Sequence, residues 1–183
     1  MRMLRLRYFR KGNSMLKIVL DMAQLPVNPL MAICTDALQR DAKDRYGDLP
    51  PGIGLEYAEL DLKEYLREVF FREKGAYYAL WEENGKYVSA LRMIPYSDGL
   101  LLHSLHTHPD QRRKGYAASL IRAVLAREGD KKVYSHVKKE NLPSILLHEK
   151  MGFRKTAACA VYLDGSWDEN SLTFCREKQG IWT

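Results

Sequence analysis

Leu100-Leu101-Leu102-His103-Ser104-Leu105-His106-Thr107-His108-Pro109-Asp110-Gln111-Arg112-Arg113-Lys114-Gly115-Tyr116-Ala117 is the stretch that decides how the rest of the chain is read. Leu100, Leu101, Leu102 and Leu105 read as a strand that ends at Pro109-Asp110. A basic turn bearing Gly115 follows. Leu120, Ile121, Val124 and Leu125 then fall on one face of a helix over 113–128, stopped by Gly129. Strand, glycine turn and helix together make an anion site, because the first amides of a helix have no partner within it and lie at the positive end of its dipole. Gly115 and Ala117 keep side chains small where phosphate oxygens would approach the main chain, and Arg112, Arg113 and Lys114 bring charge to the same mouth.

Downstream, 133–137 reads as a strand and 141–151 as a helix closing at Gly152-Phe153. A helical crossover joins parallel neighbours, so this strand is expected to run parallel to 100–108. Upstream, 76–81 and 86–94 read as a hairpin turning at Asn84-Gly85, and Ser97-Asp98-Gly99 turns the chain into 100–108 as a meander. Residues 156–163 and 171–176 read as a final hairpin around a loop at 164–170, followed by a loose tail over 179–183.

The first third is less regular. Alternating Leu4, Leu6 and Tyr8 suit a strand over 2–10, ended by Gly12-Asn13, and Ser14 would cap a helix over 15–24. Met1, Met3 and Met15 leave the start open. Past Pro26 and Pro29, Leu30, Ile33, Ala37 and Leu38 suggest a second helical segment towards Tyr46, and 47–54 reads as a loop. Asp61-x-x-Glu64 has the form of a capping box for a helix carrying Leu62, Tyr65, Leu66, Val69 and Phe70.

The chain has 183 residues, 46% hydrophobic and 28% charged, which suits one domain over 1–183 with an adequate core. No apolar run reaches bilayer length, so no membrane partner is expected. Cys34, Cys159 and Cys175 are odd in number and lack metal-ligand spacing, which fits a reduced, cytoplasmic protein without a metal. The net charge of +6 raises the alternative of a basic nucleic-acid-binding protein. The positive runs lack aromatic interleaving, so nucleic acid is the less favoured partner. Met22, Met31, Met93, Tyr77, Tyr78 and Trp81 are read as core.

Arg112-x-x-Gly115-x-Ala117 after a strand resembles the acyl-CoA pyrophosphate loop of the GNAT superfamily of N-acetyltransferases. Asn141, followed by Leu147-His148-Glu149-Lys150-Met151-Gly152-Phe153, is similar to the second motif of that family. The resemblance covers residues 76–164. It implies an α/β (α+β) domain: a mixed, mostly antiparallel sheet with a parallel central strand pair, flanked by helices. It implies transfer of an acetyl group from acetyl-CoA, as co-substrate, directly to a primary amine, first of all that of a small molecule. A protein or peptide amine and a non-catalytic acyl-CoA-binding module are the alternatives, and a homodimer fits the family.

By the same resemblance, backbone groups of Leu105, His106 and Thr107 hold the pantetheine arm as an added strand would. An amide there would polarise the thioester carbonyl. Arg112, Arg113, Lys114, Gly115, Tyr116 and Ala117 hold the pyrophosphate, and Asn141 contacts the arm as well as capping its helix. An amine of pKa about 10.4 must lose a proton before it attacks. Strict alternation places His103 with Leu101, Leu105 and Thr107, and puts His106 and His108 on the other face. Locally the stretch resembles arylalkylamine N-acetyltransferases, whose base histidine corresponds to His103, although Leu101 stands where they carry a partner histidine. His106 and His136 are further candidates for base. His148 replaces the family's usual tyrosine and would protonate the departing thiolate. Equally, His148 is a helix residue with no role, the acid then being water or Tyr134. Glu56, Glu59 and Asp61, near the acceptor side, would attract a cationic amine.

Overall fold

The computed structural model describes residues 10–11 and 13–177. Ten strands and five α-helices lie among them. The strands are β1 (Arg10–Lys11), β2 (Ser14–Val19), β3 (Tyr77–Glu83), β4 (Lys86–Tyr96), β5 (Gly99–Thr107), β6 (Lys132–Lys138), β7 (Arg154–Ala157), β8 (Ala160–Val161), β9 (Trp167–Asp168) and β10 (Ser171–Arg176). The helices are α1 (Val27–Ile33), α2 (Thr35–Tyr46), α3 (Pro51–Glu68), α4 (Tyr116–Glu128) and α5 (Leu142–Lys150). Eight strands form one sheet in the order β1-β2-β3-β4-β5-β6-β10-β7, antiparallel throughout except for the parallel pair β5–β6. The expected mixed sheet and its parallel pair are therefore present.

Helices cover both faces. Leu120, Ile121 and Val124 of α4 pack on Leu16, Tyr77, Ala79, Leu91, Met93 and Val133. On the opposite face Leu30, Ile33, Leu38, Ala58 and Leu66 of α1–α3 pack on Val19, Tyr78, Leu80 and Ala90. A strand buried on both faces reads as a continuous apolar run, not as an alternation.

That double burial explains the misread start. Residues 15–24 do not form an α-helix; only Met22–Gln24 makes a single 3-10 turn. Ser14–Val19 is strand β2, with Leu16 opposite Trp81 and Ile18 opposite Ala79, and a short apolar run cannot be told from a helix by periodicity. The strand expected over 2–10 lies, save for Arg10, outside the described residues, as does the tail over 179–183.

Three further expectations are corrected. Asp61 and Glu64 do not cap a helix; they lie inside α3, which begins with Pro51 in its first turn and so shortens the loop expected over 47–54. Gly54 lets α2 and α3 approach closely, because a Cβ there would lie 3.3 Å from both Tyr46 Cβ and Tyr46 O. Helix α4 begins at Tyr116, not at 113, since Arg113 (φ 64) and Gly115 (φ 84) are left-handed. In the final hairpin β10 pairs with β7 on one side and β6 on the other, while β8 and β9 leave the sheet as a separate ribbon. Cys34, Cys159 and Cys175 are unbonded, and no helix among the described residues is long and apolar enough to cross a membrane.

Candidate functional site

The site begins where the parallel pair parts. Gly99 to Leu102 pair with Lys132 to Ser135, and the pairing stops there although β5 continues to Thr107 and β6 to Lys138. Beyond Leu102, β5 keeps β4 on one side and has no strand on the other. The backbone of Leu105, His106 and Thr107 therefore borders a slot between diverging strands.

Ser104 is the local cause of a second feature. Its φ is +51°, and the register of β4 against β5 jumps from Arg92↔His103 to Ala90↔His106. Between these pairs β4 has one residue and β5 has two, which is a β-bulge. Directly opposed residues share a face, as do Ala90 and Arg92 along β4. The bulge thus puts His103 and His106 together on the α1–α3 face and leaves Leu105 packing towards α4. This corrects the expectation that His103 shares a face with Leu105 and Thr107 and stands apart from His106. His108 does not join them: it caps a short 3-10 turn (Pro109–Gln111), its Nδ1 accepting from the Asp110 N–H at 3.3 Å.

At the open end of the slot, Ser119 N–H donates to Gly115 O at 3.0 Å as the first bond of α4, so the earlier amides have no intrahelical partner. Nothing lies within 4 Å of where a Gly115 Cβ would stand. Arg112 pairs with Asp36 of α2 at 2.5 Å and donates through Nε to Thr107 O at 3.3 Å. Lys114 Nζ donates to Gln111 Oε1 at 2.9 Å. The turn is open, cationic and rimmed by free amides, which suits a diphosphate. Asn141 caps α5 as expected, its Oδ1 accepting from Ser144 N–H at 3.2 Å.

The histidines differ in which nitrogen is free. Arg92 Nη2 lies 3.3 Å from His103 Nδ1 and also donates to Ser104 Oγ, which is itself 2.5 Å from Nδ1. His103 Nδ1 is therefore an acceptor already in use, and its proton sits on Nε2. Burial, the Arg92 charge and neighbouring His136 and His106 push the His103 pKa down to about 3, and burial with Arg92 takes His106 to about 4. His136 is the reverse case. Thr173 Oγ1 gives its only proton to Cys159 O at 2.6 Å, so the 3.1 Å contact with His136 Nδ1 is donated by the histidine. His136 Nε2 is buried between the Tyr96 and Tyr162 rings and makes no hydrogen bond of good geometry among the described residues, while the Val161 backbone carbonyl lies close enough to the ring to favour its protonated form. Burial lowers its pKa too, against the Val161 backbone and Asp168, which raise it.

His148 is 1% exposed, donates from Nδ1 to Ser144 O at 2.7 Å and packs against Phe153 and Phe174. Its Nε2 has no partner among the described residues, and burial lowers its pKa. Tyr134, another candidate acid, donates to Asp98 Oδ1 at 2.6 Å, which holds its pKa up at about 12. Glu59 pairs with Lys63, and Asp61 pairs with Arg45 while accepting from the Tyr46 hydroxyl, so two of the three acids expected to draw an amine are occupied. Sequence reading missed Arg92, whose only signal was a charged residue between Leu91 and Met93 in an apolar strand. It also missed the Ser104 bulge, the Asp36–Arg112 pair and Thr173. No group of three metal-ligating side chains occurs among the described residues.

Comparison with known proteins places this geometry. No curated protein matches the chain. Among solved structures it is similar to an N-acetyltransferase from Staphylococcus aureus Mu50 (17% identity, 92% of this chain and 100% of that one, TM-score 0.58). It is also similar to a PaiA N-acetyltransferase from Thermoplasma acidophilum in complex with coenzyme A (13%, 88% and 98%, TM-score 0.57). A putative acetyltransferase, YncA, from Salmonella typhimurium with acetyl-CoA is a third (16%, 94% and 98%, TM-score 0.53). At these identities the likeness is one of fold. The model of the acetyltransferase (GNAT) family matches residues 36–153, from the helix that holds Arg112 to the end of the second motif. The parting strands and the glycine turn between them therefore belong to a member of the acetyltransferase (GNAT) family.

Proposed function

We propose that this protein is an N-acetyltransferase that moves the acetyl group of acetyl-CoA directly to a primary amine, first of all that of a small molecule. The observation that carries the reading is the parting of β5 and β6 beyond Leu102 and Ser135, with the left-handed Gly115 turn at its open end. The β5 edge at Leu105, His106 and Thr107 has no strand neighbour on the β6 side, and the main-chain groups that face that way are offered to a pantetheine arm, with Arg112 already reaching Thr107 O. Arg112, Arg113, Lys114, Gly115, Tyr116 and Ala117 offer charge and amides to the diphosphate, and Asn141 flanks the arm.

In the transfer, the amine nitrogen bonds to the acetyl carbon, the bond from that carbon to sulfur breaks, and the thiol leaves with a proton. We assign the base that takes the proton from the amine to His136, whose Nδ1–H is held by Thr173 and whose Nε2 must be uncovered from between the Tyr96 and Tyr162 rings to do so. His103 keeps a catalytic place with a changed role: its Nε2–H is a donor for charge that develops on the carbonyl oxygen. His148 has its Nδ1–H committed to Ser144, so returning a proton to sulfur would need the charged form or the other tautomer. That geometry favours the second reading, an acyl-CoA-binding module without turnover.

Calorimetry with acetyl-CoA, alongside Gly115→Glu, followed by thiol release against a panel of amines, separates these readings. Saturable binding lost in the variant, with turnover, fits the enzyme. Binding without turnover fits the module. A folded protein that does not bind acetyl-CoA would sink both.

A further inference from the structure

Arg92 is a buried cation in neutral surroundings. It is 9% exposed, mid-strand in β4 and directly opposite His103. None of the ion pairs among the described residues includes it. Its Nη2 donates to Ser104 Oγ and approaches His103 Nδ1, its Nε has no partner, and the rings of Tyr65 and Phe70 lie 5.1 and 5.8 Å from its carbon. The titratable groups around it do not balance the charge. His103 and His106 are held neutral, and burial pushes the Cys34 thiol up to about 11 and the Tyr78 hydroxyl up as well.

Such an arrangement is costly. An ion taken out of water loses several kcal/mol even after the protein relaxes, unless it is paired, and an aromatic face returns only about 2 kcal/mol when desolvated. A fork with one donor satisfied by neutral acceptors and Nε–H unused is shaped for a planar, two-oxygen anion. Arg92 is on the α1–α3 face, beside His103 and next to the point where β5 and β6 part. Tyr65, which covers it, is itself 39% exposed and is the side chain that would move aside. The acids that would have read a simple cationic amine, Glu59 and Asp61, are already paired.

We propose that Arg92 anchors a carboxylate of the acceptor, so that the substrate class is an amine that also carries a carboxylate. The amine half rests on the transferase reading; the carboxylate half does not.

The test uses the full chain saturated with coenzyme A. The twenty standard amino acids and the amines that their decarboxylation gives are titrated in by calorimetry. The same pairs are then assayed with acetyl-CoA for thiol release. At least one amino acid should bind, with its matching amine about thirtyfold or more weaker, since a buried charge pair with one partner removed loses 2 kcal/mol or more. Arg92→Gln should abolish that preference and Arg92→Lys keep part of it, with acetyl-CoA affinity unchanged. If Arg92→Gln does not fold, the wild-type pairs still decide. Amines that bind as tightly as their amino acids, or no amino-acid binding at all, would overturn the anchor. Amino-acid binding without thiol release would uphold it and overturn the transferase reading. Thiol release with amines irrespective of a carboxylate would do the reverse.

Discussion

Arg92 and His103 face each other directly across β4 and β5, and the guanidinium Nη2 lies 3.3 Å from the imidazole Nδ1. The pair ties stability to pH. His103 and His106 bind a proton with an ordinary pKa of 6.5 when unfolded, but only near about 3 and about 4 when folded. Below pH 6.5 the unfolded chain holds more protons, so stability falls as pH falls through 6.5 and goes on falling towards the folded values. Urea unfolding at pH 7.5 and pH 5.0 should show a lower midpoint at pH 5.0, the unfolding free energy falling by at most about 1.4 kcal/mol per pH unit for each histidine. His103→Asn should flatten the trend. An unchanged trend would show that His103 is not buried neutral.

Ser104 serves that pair through its backbone as well as its hydroxyl. Ser104→Gly keeps the left-handed bulge and removes about 1 kcal/mol of conformational strain while losing one hydrogen bond, so its stability should stay within about 1 kcal/mol of wild type. Ser104→Val puts a β-branched residue at positive φ and strips Arg92 of a partner, at a cost of about 2 kcal/mol or more. Denaturant midpoints for the two variants distinguish a bulge that is required from one that is incidental.

At Gly115 space and conformation can be separated. A Cβ there meets nothing, but φ is +84°. Gly115→Ala should cost about 1 kcal/mol of stability and leave acetyl-CoA binding within a few-fold of wild type. Gly115→Glu should cost a similar amount of stability and lose binding. Equal loss of binding in both variants would assign the effect to the backbone and not to the diphosphate.

Asp36 competes for the charge that a diphosphate would use. Both members of the Asp36–Arg112 pair are about half exposed, so Asp36→Asn should change stability by less than about 1 kcal/mol. It should tighten acetyl-CoA a few-fold and make the affinity more salt-dependent, as calorimetry at two salt concentrations would show. Weaker binding would mean that Asp36 holds Arg112 in place for the ligand.

Thr173 orients His136. Thr173→Val preserves shape and removes the acceptor of the Nδ1–H. Nitrogen-15 shifts of His136 should report Nδ1–H in wild type and a tautomer mixture in the variant, with turnover down about tenfold or more and acetyl-CoA affinity unchanged. Turnover that does not respond would remove His136 from proton transfer.

Much of this arrangement was legible from local chemistry. Asn84-Gly85 marks its turn because few residues accept that backbone, and the Gly115 motif marks a strand-to-helix anion turn for the same reason. Asn141 is read as a cap by its side chain alone. What escaped depends on contacts distant in sequence. Strand β2 looks helical until β3 is laid beside it and both faces are seen to be covered. The bulge at Ser104 follows from how β4 pairs, so strict alternation misassigned His103 and His106. Asp61 sits well inside α3 because that helix already starts at Pro51, in a Pro- and Gly-bearing stretch that reads as a loop. Arg112 meets Asp36, and His136 meets Thr173, across gaps that no spacing rule reaches.

The position of β10 has a consequence for the order in which the molecule is completed. It is inserted between β6 and β7, and pairs with β6 from Val133 to Lys138. β6 leaves β5 after Ser135 but keeps this neighbour as far as Lys138. During synthesis, however, residues 171–176 leave the ribosome after every other strand of the sheet. Until they arrive, β6 has an open outer edge, and His136 to Lys138, beyond the point of parting, have no strand on either side. A nascent chain halted before Ser171 would carry the whole glycine turn with one wall of the cleft left without its outer strand.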